Sequence, residues 1–394
     1  MLPRYLVAFE GAVHEGARLH AHISIAVDAE GRRHPREKRI RHAPTFPLAR
    51  DDSAFEAPCI CSPGVGRWHD ARVIRLFDLP HHEARQKLGD GALVFLSFDP
   101  VEFHGPHLPL GCDRLIGHGL MRDFAEHLAA ELDCEILLAE PVECGVEPTS
   151  GPGSRRLKFG NVRAIVKESC RALIELGAQR AVLNTFHGSA LHNLAIQDGV
   201  DLFRAANLPA LAPFHIVLRE MVDLDAERYR DAFAEVPEEH RQAMIDGLRM
   251  DFHAGFFETS LALHYAKSHV TGRLDEVQPC PPFGRVGSVA FLSKVVGLLG
   301  AKQTAKEMSF AADALGWPEL RPFPAYTGRP AFATPRAGEV FASKILERYV
   351  EAATDVFVAG KTPPDPVMGW LKWFSLGGHI ESTKVPVKHV RVDF

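Results

Sequence analysis

No stretch of this 394-residue chain is apolar for long enough to cross a bilayer as a helix. Its first nine residues are partly apolar, but Glu10 and Arg18 follow too soon for a secretory leader. A cysteine framework is missing as well. Seven cysteines, an odd number without regular spacing, argue for reduced thiols and a cytoplasmic protein. Cys59, Cys61 and Cys112 have no Cys-x-x-Cys partner and give weak grounds for a thiolate metal site. Nor is there a basic excess: 45 Lys and Arg against 50 Asp and Glu leave a formal charge of -5. That balance offers no footprint for nucleic acid or an acidic membrane surface. Internal repeats and low-complexity tracts are also absent. What remains is an ordinary globular composition, 46% hydrophobic and 24% charged, on a chain long enough to bury a sizeable core.

The stretch richest in chemistry is Glu102-Phe-His-Gly-Pro-His-Leu-Pro-Leu-Gly-Cys-Asp113. It follows residues 92–98, an apolar run of strand length such as a parallel sheet covered on both faces requires. Ligands of open α/β sheets sit outside the carboxyl ends of the strands, where this loop would lie. Glu102, His104 and Asp113 offer one nitrogen and two carboxylate ligands, a mixture suited to zinc, manganese or iron. The plainer alternative is a surface loop that happens to carry acids and histidines.

Elsewhere strands alternate with helices. Helical spacing covers 115–132, 162–176 and a segment after Leu191, with strands at 135–139 and 181–184 and a further strand within 210–218. A Gly/Pro/Ser loop at 145–153 is placed to reach across the site. Residues 227–250, 289–299, 303–315 and 337–358 read as helices. Such alternation implies parallel pairing with right-handed crossovers, hence a layered α/β/α fold with a mostly parallel central sheet. Before it, residues 1–90 read as a β-rich extension with short strands at 5–9 and 22–27. The basic run at 32–41 reads as a solvated hairpin, with anion binding as the lesser alternative. Trp370, Trp373 and Phe374 cluster in a tail, 361–394, and are expected to dock on their own domain or on a neighbouring subunit.

The motif from Glu102 to Asp113 resembles the signature of the creatininase family of metal-dependent amidohydrolases. Three further segments resemble that family in the family's order: Asn184-Thr-Phe-His-Gly-Ser189, Asp251-Phe-His-Ala-Gly-Phe-Phe-Glu-Thr-Ser260, and Gly328-Arg-Pro-Ala-Phe-Ala-Thr334 with Gly338. The resemblance implies a catalytic domain over 91–360, with 269–324 as an insertion. It also implies a pair of metals held by Glu102, His104, Asp113 and His187, with Asp113 shared between them. Two cations about 3.5–4 Å apart need an anion between them.

The chain departs from the pattern in places. Ser189 stands where creatininase itself has a glutamate, Phe256 replaces another, and Asp99-Pro100 replaces Gly-Ser. Those changes leave the second metal one ligand short, and Glu258 is the residue to fill the gap. His253, beside it, is the expected proton donor or oxyanion stabiliser, and His253 and Glu258 together are the expected catalytic pair. A helix-start cluster without chemistry is the competing reading of these two. His107 is expected behind the ligands, holding a carboxylate through its ring N–H; His118 fits a core or a surface place equally.

The resemblance thus implies hydrolysis of a C–N bond in a small amide, cyclic ones above all, by water activated on one or two divalent ions, zinc or else manganese or iron. A cyclic ketone, a formamide or a small modified peptide is the alternative substrate on the same site. A non-catalytic metal-stabilised scaffold is the alternative from another class. The expected partners are a small-molecule substrate and further copies of the chain in a homo-oligomer, with no nucleic acid and no membrane.

Overall fold

Seven consecutive buried residues form β2 (Leu93–Asp99), the strand at the centre of the sheet. The computed structural model describes residues 73–380 and 382–394; the strands expected at 5–9 and 22–27 and the basic run at 32–41 lie outside them. In chain order, β1 (Val73–Arg75) and α1 (His81–Gly89) precede β2. Then come α2 (Cys112–Glu131), β3 (Ile136–Leu138), β4 (Val142–Glu143) and α3 (Phe159–Leu176). After these follow β5 (Ala181–Asn184), α4 (Ala190–Ala205), β6 (Ala210–Leu211) and α5 (Phe214–Val222).

The sheet runs β1-β3-β2-β5-β6, every pairing parallel, with the short β4 beside the end of β2 at Phe98 and Asp99. Alternate residues of β2 serve the two faces. Leu93 and Phe95 join the apolar core under α2, while Val94, Leu96 and Phe98 join the one under α3 and α4. That is the layered α/β/α arrangement. From β2 the chain moves to β3 on one side and later returns to β5 on the other. The carboxyl ends of β2 and β5 therefore flank the point where strand order reverses, the place where open α/β sheets take ligands.

Local chemistry explains the helix ends. Ser189 caps α4, its hydroxyl accepting from the His192 N–H, and Thr334 caps α10 (Pro335–Ala353) through the Ala337 N–H. Between α5 and α10 lie α6 (Glu238–Gly247), α7 (Phe256–Ala266), α8 (Gly287–Leu298) and α9 (Lys302–Ala314). α7 packs so closely on α10 that a Cβ on Gly338 would fall 2.0 Å from the Ser260 carbonyl oxygen. A four-residue α11 (Leu371–Phe374) lies in the tail.

Three expected elements differ. The single helix expected at 227–250 is broken ahead of Pro237 into a 3-10 stretch, Ala226–Phe233, then α6, then a 3-10 turn, Leu248–Met250. Residues 210–218 hold a two-residue strand and then a helix, because Pro213 and the buried face of Phe214, Val217 and Leu218 start α5 directly. The long helix expected at 337–358 ends as an α-helix at Ala353 and continues only as a π-helical turn, Thr354–Val358. Among the described residues no helix is long and apolar enough to cross a membrane.

Candidate metal centre

Three loops converge beyond the carboxyl ends of β2 and β5. The first carries Glu102 and His104 and runs into α2, whose first turn holds Asp113. The second leaves β5 with His187. The third is the approach to α7, with His253 ahead of the helix and Glu258 in its first turn. All six side chains are buried. Their donor atoms form overlapping groups that could each hold a metal ion: Glu102 with Asp113 and His187, His104 with Asp113 and Glu258, and Glu102 with His104 and His253. Asp113, Glu102 and His104 each belong to two of these groups, and of the three Asp113 is a carboxylate common to the groups that include His187 and Glu258.

Each imidazole has one nitrogen tied to the backbone. His104 Nδ1 lies 3.0 Å from the Glu102 carbonyl oxygen, His187 Nε2 2.8 Å from that of Val146, and His253 Nε2 3.1 Å from that of Phe103. A carbonyl only accepts, so each of these nitrogens carries the proton. The remaining nitrogen of each ring then faces carboxylates. His104 Nε2 lies 3.2 Å from Asp113 Oδ1 and 3.5 Å from Glu258 Oε1. His253 Nδ1 is 3.8 Å from Glu102 Oε1 and 3.9 Å from Glu258 Oε2. Charge-assisted N–H···O bonds are shorter, about 2.7–2.9 Å; only His187 Nδ1 to Glu102 Oε2, at 2.8 Å, reaches that range. Asp113 Oδ2 is buried and accepts no hydrogen bond among the described residues.

In a neutral ring the inward nitrogen presents a lone pair to an anion, an arrangement that a cation between them would complete. The carboxylates also draw positive charge onto the rings: although burial opposes it, Asp113 and Glu258 hold His104 well above its usual range. Burial opposes charge on Glu102, yet His187 and His253 hold its carboxyl well below the usual range. Burial also works against Glu258, and His104 outweighs it, so this carboxyl too is lowered. Asp113 goes the other way: burial raises it and neighbouring Glu102 adds to that, in spite of His104. Although burial disfavours its charge, His187 is pushed up to about 9 by Glu102. The donor set fits a divalent cation: hard carboxylates and imidazoles with their outer nitrogens fixed.

The supporting residues are mostly backbone. Thr149 N–H donates to Glu102 Oε1 at 2.5 Å, so the loop after β4 does cross the site. Asn193 Nδ2 donates to the carbonyls of His187 and Ser189, and Asp99 accepts from the Phe186 N–H at 3.1 Å. Burial pushes Asp99 up to about 6. Asp99 thus gives one of the chain's sequence departures a role, tying the exit of β5 to the end of β2. Ser189, another departure, is the α4 cap and also donates to Glu147.

Before α7, Ala254 adopts a left-handed conformation, φ 46°. Its N–H is bound to Glu258, and His107 Nε2 meets its carbonyl oxygen at 2.9 Å. His107 therefore holds a backbone carbonyl, where a carboxylate was expected. Burial lowers His107 and His118 to about 4, and raises the packed Cys112 thiol well above its usual range. Sequence reasoning missed Asp251, which accepts from the Phe256 and Phe257 N–H groups at the start of α7. It also missed Thr327, whose N–H donates to the His253 carbonyl, and Trp317, whose ring lies 5.4 Å from that of His253. An aspartate five residues ahead of a helix start was the available signal for the first; the other two lie far away in sequence.

The family model described as "Creatininase: Creatinine amidohydrolase" matches residues 78–353. No curated protein matches the sequence. Among solved structures, one named "Creatininase Mn" is 19% identical with a TM-score of 0.50, covering 73% of this chain and 100% of its own. Another, "Crystal structure of creatinine amidohydrolase (creatininase)", is 20% identical with a TM-score of 0.49, covering 73% and 99%. At such identity the first of these shows a shared fold.

Proposed function

The chain belongs to the creatininase family of metal-dependent hydrolases, and on that premise we propose that it cleaves an amide C–N bond of a small molecule at the cluster around Asp113. The observation that carries this reading is the set of three imidazoles, each fixed by a backbone carbonyl and turned toward buried carboxylates. One divalent ion is assigned to Glu102, Asp113 and His187, a second to His104, Asp113 and Glu258. Zinc and manganese both suit these donors, and one similar structure carries manganese in its name. Such ions, when bound, supply an acidic water and polarise the scissile carbonyl.

The chain's own residues do the rest. His253 holds its proton on Nε2 against the Phe103 carbonyl and keeps Nδ1 free toward the carboxylates. Burial, with His104 nearby, lowers its pKa, so the ring is neutral near pH 7. Nδ1 then takes the proton released when water attacks the carbonyl carbon and hands it to the nitrogen as the C–N bond breaks. Glu258 steers this ring while serving the second ion. The packed surroundings of His104 and Asp113 keep bulk water from that side.

A panel of lactams, formamides and cyclic ketones, assayed with and without added manganese or zinc, tests the reading. Turnover of an amide that chelation abolishes is the expected result; a metal-loaded protein inert on every amide contradicts it. Glu258→Gln separates the two roles of Glu258. Lost metal marks a ligand, and retained metal with turnover reduced about 10²–10⁴-fold marks an acid–base group. Retention of both removes Glu258 from the site.

A further inference from the structure

The donors do not line a small pocket. Glu102, Asp113, His187 and Glu258 share the wall of a 660 Å³ cavity whose other sides are built by α5, the α8–α9 pair and the C-terminal tail. Met308, Ala311 and Leu315 face it from α9 and the residue after it, Phe186 and Phe257 from beside the donors, and Trp370 from the tail. Among the described residues no lysine or arginine lines it, and the one further acid, Glu147, is already bound to Ser189 and the Ser382 N–H. Phe374 and Ile380, 59% and 57% exposed, carry the apolar lining out to the surface. Cavities of about 300–1,000 Å³ enclose drug-sized ligands; a compact lactam alone would leave most of this one empty. Beyond the donor cluster itself, no described lysine or arginine on its walls would meet a substrate carboxylate or phosphate.

We propose that the scissile amide carries a long, uncharged, apolar substituent, an acyl or alkyl chain that this chamber takes up while the carbonyl reaches the donors. The inference rests on the amide-hydrolase reading for the carbonyl's destination, and on the chamber alone for the substituent. Helices α8 and α9 and the tail segment with Trp370 would then set chain-length specificity. Trp370 is held in place by its indole N–H donating to Glu307 at 3.0 Å.

Straight-chain primary alkanamides from two to ten carbons test this by binding, read from the fluorescence of Trp317 and Trp370, with turnover followed in parallel on the metal-loaded protein. Kd should fall about fourfold for each added methylene until the chamber is filled. Ala311→Trp, which fills the chamber, should abolish that gain for long chains. Leu315→Trp at the chamber edge makes the same test if the first variant does not fold. Equal affinity at all lengths, or an unchanged gradient in a folded filled variant, overturns the proposal. Graded binding without any hydrolysis upholds the chamber and fails the hydrolase reading; hydrolysis of short amides without graded binding fails the chamber alone.

Discussion

His215, on α5, is 1% exposed, and neither ring nitrogen has a hydrogen-bond partner among the described residues. Burial first, then the charges of Arg219 and Lys372, lower its pKa to about 4. Unfolded chains protonate histidine near 6.5, so the stability gained by keeping this ring neutral is complete above that pH and lost as pH falls toward 4. His215→Phe should therefore flatten the acid limb, sparing about 2–3 kcal/mol between pH 7 and 4.5. Urea titrations at both pH values check this; parallel losses in parent and variant would contradict it. At this scale the sequence spoke clearly where donors sit in short motifs: Glu102 and His104 in one loop with Asp113 in the helix turn that follows, and His253 just ahead of the helix that carries Glu258. The structure brings them together with His187. Their orientation was not legible, because it is set by carbonyls of Phe103 and Val146, and a backbone acceptor leaves no mark in the residue alphabet.

The start of α7 shows the same division among elements. The motif through Gly255 announced a helix beginning there, as observed. What seats the helix is Asp251, buried beneath it, and a Cβ on Gly328 would lie 1.9 Å from the Asp251 Oδ2 oxygen. Gly328 also has φ 61°, which costs a side-chain-bearing residue about 1–2 kcal/mol. Gly328→Ala should lose about 2–4 kcal/mol, combining that cost with a displaced N-terminal cap. Turnover should fall as well, since neighbouring Thr327 holds the His253 carbonyl. Denaturant midpoints at constant m measure the first effect; an unchanged midpoint would show that Asp251 does not seat α7. Periodicity located α3 and α9 to within a few residues. It misplaced 210–218, where a short apolar run fits a strand or a helix equally well until its neighbours are known.

Over the whole molecule, the tail divides its aromatics. Trp370 docks on Glu307, whereas Trp373 stays 85% exposed near other bare apolar side chains such as Phe374 and Leu376. Exposed apolar side chains close together in sequence are expected to be covered by another copy of the chain. Sedimentation at micromolar concentration should show a homo-oligomer that Trp373→Lys weakens, and a monomeric parent would refute this. The layered α/β/α architecture was legible from alternation alone; the chamber was not, because its walls come from α5, α8, α9 and the tail, distant segments that only the folded chain assembles. The two-ion assignment remains the claim on which the proposed chemistry stands. Metal analysis of purified protein beside Asp113→Ala tests it most directly. Two divalent ions per chain in the parent, with at least one lost in the variant, is the predicted result; a full complement retained by Asp113→Ala would contradict it.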